Sequence, residues 1–465
     1  MREKQFLLPI LFCIIISFTQ LLCARSKELT PISEGRIFSL KHYPKFYGDQ
    51  NTSYGNFYER SYLWGSFSGL RDALSCHGIY LDATLFQFLA ANLTGGAKHG
   101  YMRYNGNAEY WLVFDTAKMG IWSRGALSLH AESSWTAQDS INDDVGSLLA
   151  TNDRSRVPVP GKNATTLSEV VLEQHFSDHF LFRVGKMDAT GPIDATEFGN
   201  NGRFQFTYAG LVNNPIIYHF TSYTSLAIMP IWNLPDNKNQ LLLFIADANG
   251  TANQSPFNSV FNGQTSYCIQ YTGSPKVRNH LPGNYRLIYA HNRKPLTSYK
   301  LDARHLIGKD IPEIKIPKKC NNHAFLFNFD QYVWINPDNE HVTCRNHRPP
   351  IGILLFGRAG WEPKDRNVID QFYSIGIGSY GGFRNRYYDQ WGLGYAATHI
   401  SCMLRKALKE QQGILFTNFE HAFEFFYDVE ITPALNLSFH SKIIRPPLQS
   451  HDAALVIDAR LRADF

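Results

Sequence analysis

The last eleven residues, Leu455-Val456-Ile457-Asp458-Ala459-Arg460-Leu461-Arg462-Ala463-Asp464-Phe465, decide the fold. Leu455, Ile457, Ala459, Leu461, Ala463 and Phe465 share one parity, and Asp458, Arg460, Arg462 and Asp464 share the other. Period-two alternation predicts a strand with one apolar and one charged face. Four charges in a row do not suit a protein core, so that face is expected to meet water. About nine to eleven tilted residues cross a bilayer, with lipid on one face and solvent on the other. A terminal aromatic in register with the apolar face matches the signal by which outer-membrane barrels are recognised for assembly. The plainer reading of the same residues is an edge strand of a soluble sandwich.

The preceding stretch repeats the pattern. Phe423, Phe425, Tyr427, Val429 and Ile431 alternate with Glu424, Phe426, Asp428 and Glu430. Thr432-Pro433 breaks the run, and Leu435, Leu437 and Phe439 then alternate with Asn436, Ser438 and His440. This spells strand, tight turn, returning strand. Further strands are expected at 110–114, 126–135, 181–187, 203–208, 222–229, 240–247, 266–271, 285–291, 325–334, 352–359, 371–379 and 392–398. Short strands punctuated by Gly, Asn, Asp and Pro suit a many-stranded antiparallel sheet, and spanning a membrane requires that sheet to close. The expectation is an all-β chain forming a single antiparallel transmembrane β-barrel with a short N-terminal helical segment. Residues 136–166, rich in Asp, Asn, Ser and Gly, read as a long loop. Residues 276–319 carry eleven Lys/Arg against three Asp/Glu and read as a basic surface loop facing anionic lipid or glycan. Leu63, Phe67, Leu70 and Leu74 follow helical spacing, closed by Gly78.

Composition narrows the classes. With 465 residues and 14% aromatics the chain is folded, and its length allows about three domains or one large barrel. A formal charge of +5 is too small for a dedicated nucleic-acid binder. Beyond the N-terminus no run of about 18 apolar residues predicts a helical span. Residues 1–24, a charged start followed by the apolar run Phe6–Leu22, read as a secretory signal peptide, with a lipidated Cys23 as the weaker reading. Residues 25–78 then form an N-terminal extension carrying the short amphipathic helix, and residues 79–465 the barrel. Once Cys13 and Cys23 leave with the signal, Cys76, Cys268, Cys320, Cys344 and Cys402 remain. Their wide spacing does not suit zinc. Cys320 and Cys344 bridge if the segment between them is a hairpin-like loop; otherwise the thiols stay unpaired, and the odd number leaves room for disulfide-linked envelope partners.

Enzyme signatures are missing: no GxSxG, HExxH, P-loop or dinucleotide fingerprint occurs. No cofactor and no catalytic residue is expected, although an outer-membrane hydrolase or adhesin is the rival from another class. A pore selects by the groups lining its narrowest section. Glu424, Asp428 and Glu430 share the inward parity, and Asp188, Asp194 and Glu197 follow the strand that ends near Lys186. Such a wall favours cations, unless arginines such as Arg460 and Arg462 balance it into a neutral girdle.

Several segments, in order, resemble the OprB family of carbohydrate-selective porins. They are RVGKMD at 183–188 with Asp194, FGRAGW at 356–361, RNRYYDQWGLGY at 384–395, FDTAKMGIW at 114–122 and the hairpin from Glu424 to Pro433. Arg71-Asp72-Ala73-Leu74, Gly78-Ile79 and Thr94-Gly95-Gly96 look like the family's opening elements. The resemblance implies about sixteen strands in a bacterial outer membrane. Within the family the chain most resembles an arginine porin of intracellular pathogens. That likeness implies passive L-arginine uptake, an inner-membrane arginine/agmatine antiporter and an arginine decarboxylase downstream, and a role in virulence. The residues after Leu437 and the basic segment 276–319 depart from the sugar-porin pattern. The alternative is a glucose-type or general porin, for which Phe426, inward by parity, offers a stacking surface.

Overall fold

The structure, a computed structural model, describes residues 55–465 except 137–139, 189, 201, 237, 260–261, 279–280, 300–317, 338–348 and 383–385. The signal segment, Cys13, Cys23, Cys344 and most of the basic segment's centre therefore lie outside the described residues. Among those described, sixteen strands of nine residues or more follow one another: β1 (Ile79–Gly96), β2 (Tyr101–Asp115), β3 (Gly125–Thr136), β4 (Ala164–His175), β5 (Phe180–Asp188), β6 (Thr224–Asn233), β7 (Asn239–Asp247) and β8 (Thr265–Gly273). They continue as β9 (Leu281–Asn292), β10 (Asn322–Ile335), β11 (Gly352–Trp361), β12 (Ile369–Tyr380), β13 (Gln390–Ile400), β14 (Phe419–Thr432), β15 (Leu435–Arg445) and β16 (Asp452–Asp464). Each pairs antiparallel with its sequence neighbour. β16 returns to β1 with Thr84 opposite Asp464 and Ala91 opposite Ile457, so the sheet closes and exposes no edge.

The alternation seen in the sequence becomes an outside and an inside. Phe423, Phe425, Ile431, Ile457 and Leu461 are exposed on the outer face, where lipid would cover them. Their neighbours in parity, Glu424, Phe426, Asp428, Asp458, Arg460 and Arg462, are buried inside. One expectation fails here. The inner charges of β16 do not face water: Asp458, Arg460, Arg462 and Asp464 are all 6% exposed or less. The barrel interior is filled by chain, and the charges are paired within it.

The filling comes from one end. The ends carrying 176–179, 234–238 and 433–434 are joined by tight turns, and the opposite end carries the long connections 137–163, 189–223, 248–264, 293–321 and 401–418. Short turns mark the periplasmic side and long loops the outer side. Of residues 136–166, read as a loop, Thr136 and 164–166 belong to β3 and β4, and the connection between them holds helix α2 (Ile141–Val145), capped by a reciprocal Ser140/Asp143 box, and a 3-10 turn at Asp153–Arg156. Residues 203–208, expected as a strand, lie in the second inserted loop. Their backbone finds side chains rather than a ladder: Thr207 and Tyr208 N–H donate to Glu424, and the Gly202 and Gln205 carbonyls accept from Arg460.

Three further differences have local causes. The first helix, α1 (Leu70–Cys76), starts seven residues after Leu63, because Phe67, Ser68 and Gly69 all have positive φ and cannot join a right-handed helix. The basic segment 276–319 is not one loop, since β9 runs through it. The stretch between Cys320 and Cys344 is crossed by β10 rather than forming a hairpin-like loop, and Cys320 is a free, exposed thiol. At the periplasmic end Phe465 meets α1, β1 and the segment before them. Phe465 N–H donates to the Ala83 carbonyl at 2.8 Å, Arg71 reaches the Phe465 carbonyl at 2.8 Å, and Trp64 packs edge-on against the Phe465 ring.

Candidate functional site

The two inserted loops, 137–163 and 189–223, cross the lumen and are fixed to the wall by side chains of many strands. Arg154 of the first loop and Arg203 of the second both donate to Glu109 of β2, the Arg203 Nε reaching Oε2 at 2.7 Å. One carboxylate on the wall thus holds both loops. Glu420 on β14 does the same from the other side, accepting the Leu149 N–H at 3.0 Å and the Tyr208 hydroxyl at 2.7 Å. Lys442 on β15 donates to the Thr151 carbonyl and to Asp458, each at 2.8 Å. These contacts give each of these buried charges a partner, since burial without one would cost several kcal/mol.

Arg358 of β11 is the most connected of the pins. Fully buried, it donates from Nε to Asp194 at 3.0 Å, to the Thr196 hydroxyl at 2.7 Å, and to the Leu211 and Val212 carbonyls at 3.3 and 3.1 Å. It therefore ties the start of the second loop to its helix α3 (Ala209–Val212). Asp194 also accepts the Asn214 N–H at 2.7 Å and the Asn328 amide at 2.8 Å, and these contacts hold its backbone at φ +67°. Aromatic packing completes the anchor: Phe198 and Phe206 lie against Phe356 and Phe426. The wall makes room with glycine. A Cβ on Gly378 would lie 2.0 Å from the Phe198 ring, and one on Gly392 would lie 2.8 Å from Phe206.

The six acids read from the sequence fall into two groups. Asp194, Glu424 and Asp428 are buried and engaged. Glu424 accepts from Thr207, Tyr208 and, at 2.8 Å, His440; Asp428 accepts from Asn436 at 2.8 Å and lies 3.6 Å from Arg460. Asp188, Glu197 and Glu430 keep solvent access. Asp188 accepts from both the Thr190 N–H and its hydroxyl, and Glu430 donates its backbone N–H to Asp389. Phe426 is inward but covered by Phe198 and Phe206, so it offers no open ring face.

Glu197 is reachable through the lumen yet enclosed by the wall. Burial and the neighbouring Asp330 push its carboxyl up to about 7, with Arg286 opposing them. Below that pH the group is neutral, and above it the lumen gains a negative charge. Cation-over-anion permeability in planar bilayers is therefore expected to rise between about pH 5 and pH 8, and Glu197→Gln to flatten the rise. A Glu197→Gln profile matching the parent would contradict this assignment.

Sequence reading did not single out Glu109, Arg154, Arg203, Arg358, Glu420 or Lys442. The inward parity of Glu109 and Lys442 was a usable signal, whereas Arg154 and Arg203 sit in loops without periodicity. Several lumen groups stay partly open beside the pins: the guanidiniums of Arg156 and Arg203, the rings of Phe204, Tyr218 and Tyr223, and the carboxylates already named. Arg156 lies over the Tyr218 ring at 5.2 Å, and Tyr223 donates to Glu132 at 2.9 Å. Glu109, His130 and Glu132 bring ligand-type atoms within 4.8 Å of one another, but Arg154 and Arg203 point two guanidiniums at this group, and a cation there would meet their repulsion. The groups left partly open beside the inserted loops are thus mixed donors, acceptors and rings.

Residues 99–465 match the family model described as carbohydrate-selective porin, OprB family. The chain belongs to the OprB family. It is 24% identical over 432 residues to Porin B of Pseudomonas aeruginosa, covering 87% of this chain and 91% of that one. The solved structure of Pseudomonas putida OprB at high pH superposes with a TM-score of 0.73 at 20% identity, covering 88% of this chain and all of the other. The low-pH structure of the same protein gives 0.54 at 15% identity. This OprB-family porin is a multi-strand barrel of a bacterial outer membrane, and its relatives are channels rather than enzymes.

Proposed function

We propose that this porin passes small neutral polyhydroxyl solutes, sugars of glucose size, by passive diffusion. The observation that carries the reading is the charge pairing of the lumen. Asp194 is matched by Arg358, Glu109 by Arg154 and Arg203, and Asp458 by Lys442, while the Glu424 oxygens are taken up by hydrogen bonds with Thr207, Tyr208 and His440. A wall so balanced gives a cation no strong preference over a neutral molecule. What it keeps open are hydrogen-bonding groups and the rings of Phe204, Tyr218 and Tyr223, which suit weak, multi-site contact with hydroxyls and sugar faces. The family description supports the same solute class.

L-arginine is the second reading. It stands on the resemblance to an arginine porin and on an acidic wall, and three of the six acids in that wall are buried against partners. The antiporter, the decarboxylase and the role in virulence that accompanied it draw no support from the lumen. In planar bilayers the sugar reading expects near-equal cation and anion permeability at pH 6, and a drop in current on adding glucose or maltose. Strong cation selectivity with no effect of sugar would favour arginine instead.

A further inference from the structure

The outer rim carries a charge asymmetry that the lumen does not use. Over β9 to β14 the long-loop end bears Arg293, Lys318, Lys364, Lys406 and Lys409, all exposed. Beside it, the neighbouring connection 248–264 between β7 and β8 contains no ionisable residue, so the basic character begins sharply at β9. Other charges in this arc are already engaged. Asp365 takes both Lys319 and Arg366, whose hydrogen bonds outweigh the opposing effect of burial and hold its carboxyl down to about 2. Arg405 binds the Ile400 carbonyl at 3.1 Å and Asn418, fixing helix α4 (Cys402–Gln412) to the rim. Glu410 lies 3.8 Å from Lys406, an exposed pair of small worth. Glu362 faces inward to His219 at 2.5 Å. Among the described residues, the five remaining cations outnumber their local acids.

Their height is defined by the strand ends beneath them. Phe325 and Trp361, opposite one another in the β10–β11 register, are 59% and 43% exposed on the outer face, with Trp361 donating to Tyr373 at 3.0 Å. Outward aromatics at a strand end mark the membrane–water interface. Lys318 and Lys364 stand just beyond that belt, at the level of lipid headgroups. Lysine offers a compact charge with three rotatable donors, a match for phosphate monoesters, and clustered basic side chains beside a membrane bind anionic headgroups. We propose that this arc binds the phosphate groups of the outer-leaflet glycolipid and fixes one side of the barrel against it.

The test uses the full mature protein in non-ionic detergent, with diphosphorylated lipid A as probe and bound lipid counted by native mass spectrometry. Lys318→Gln/Lys364→Gln/Lys406→Gln/Lys409→Gln is expected to lose about tenfold or more in affinity, while the control Lys98→Gln/Lys162→Gln on the other half of the rim stays within about twofold. Heat-modifiable migration verifies that both variants are folded. Dephosphorylated lipid A should bind the parent no better than the quadruple variant binds the intact lipid, and added salt should weaken parent binding. Unchanged affinity in the quadruple variant, or an equal loss in the control, would overturn the proposal. Displacement by equimolar inorganic phosphate would also overturn it, making the arc a site for free anions rather than lipid.

Discussion

Arg358→Ala should open the pore. The guanidinium is buried beneath the second inserted loop and joins Asp194, Thr196 and the last turn of α3. Truncation leaves the Asp194 carboxylate buried with its countercharge removed, a loss of about 3–5 kcal/mol at such sites. The barrel has a cheaper response than unfolding. Its ladder of strands does not depend on the loop, so the loop is expected to lift from the β11 wall and hydrate Asp194. Single-channel conductance should rise, and the discrimination between glucose and larger oligosaccharides should fall. Arg358→Lys keeps the charge but loses the planar fork, and should fall between the two. Unchanged conductance in Arg358→Ala, with the variant folded, would mean that the loop holds its place through Phe198 and Phe206 alone.

Glu424→Ala attacks the same loop from the opposite wall. The carboxylate accepts from the Thr207 and Tyr208 N–H groups, the Thr207 hydroxyl and His440. Each buried donor left without an acceptor costs about 1–3 kcal/mol. The expected outcome is a lower urea midpoint in lipid vesicles and larger, noisier single-channel currents. The effect on ion preference separates two pictures of this residue. An open acidic wall would make Glu424→Gln strongly reduce cation selectivity. A buried, engaged Glu424 predicts a small change there, because Lys442 stands opposite it on β15 and its oxygens are already taken up by Thr207, Tyr208 and His440. A large selectivity change at constant conductance would restore the acidic wall.

How much of this could be read from residues follows from the range of the interactions. The parity of β14 and β16 is local, and it correctly separated the lipid face from the inner face. What lies against the inner face is not local. Arg460 meets the carbonyls of Gly202 and Gln205 from the far side of the sequence, and Glu109 meets Arg154 and Arg203. The four charges of β16 looked as though they needed water because their partners sit in loops with no periodic signal. The same cause produced the false strand at 203–208, whose alternating Phe204, Phe206 and Tyr208 follow pocket spacing rather than a pleat. Resemblance supplied part of what periodicity could not. Asp194 and the FGRAGW segment both carry the family resemblance, but only the fold brings Arg358 onto Asp194. Gly392 and Gly394 in the WGLGY run mark where Phe206 and Leu211 press against the wall.

The measurement that bears most directly on the paired-lumen pore is osmotic swelling of liposomes holding the refolded protein, with glucose, arginine and glutamate compared at equal osmolarity. Glucose should enter at least as fast as arginine, with glutamate not far behind, and Arg358→Ala should accelerate all three. Arginine entering clearly faster than glucose would contradict a charge-balanced sugar pore and return the acidic wall to the centre of its function.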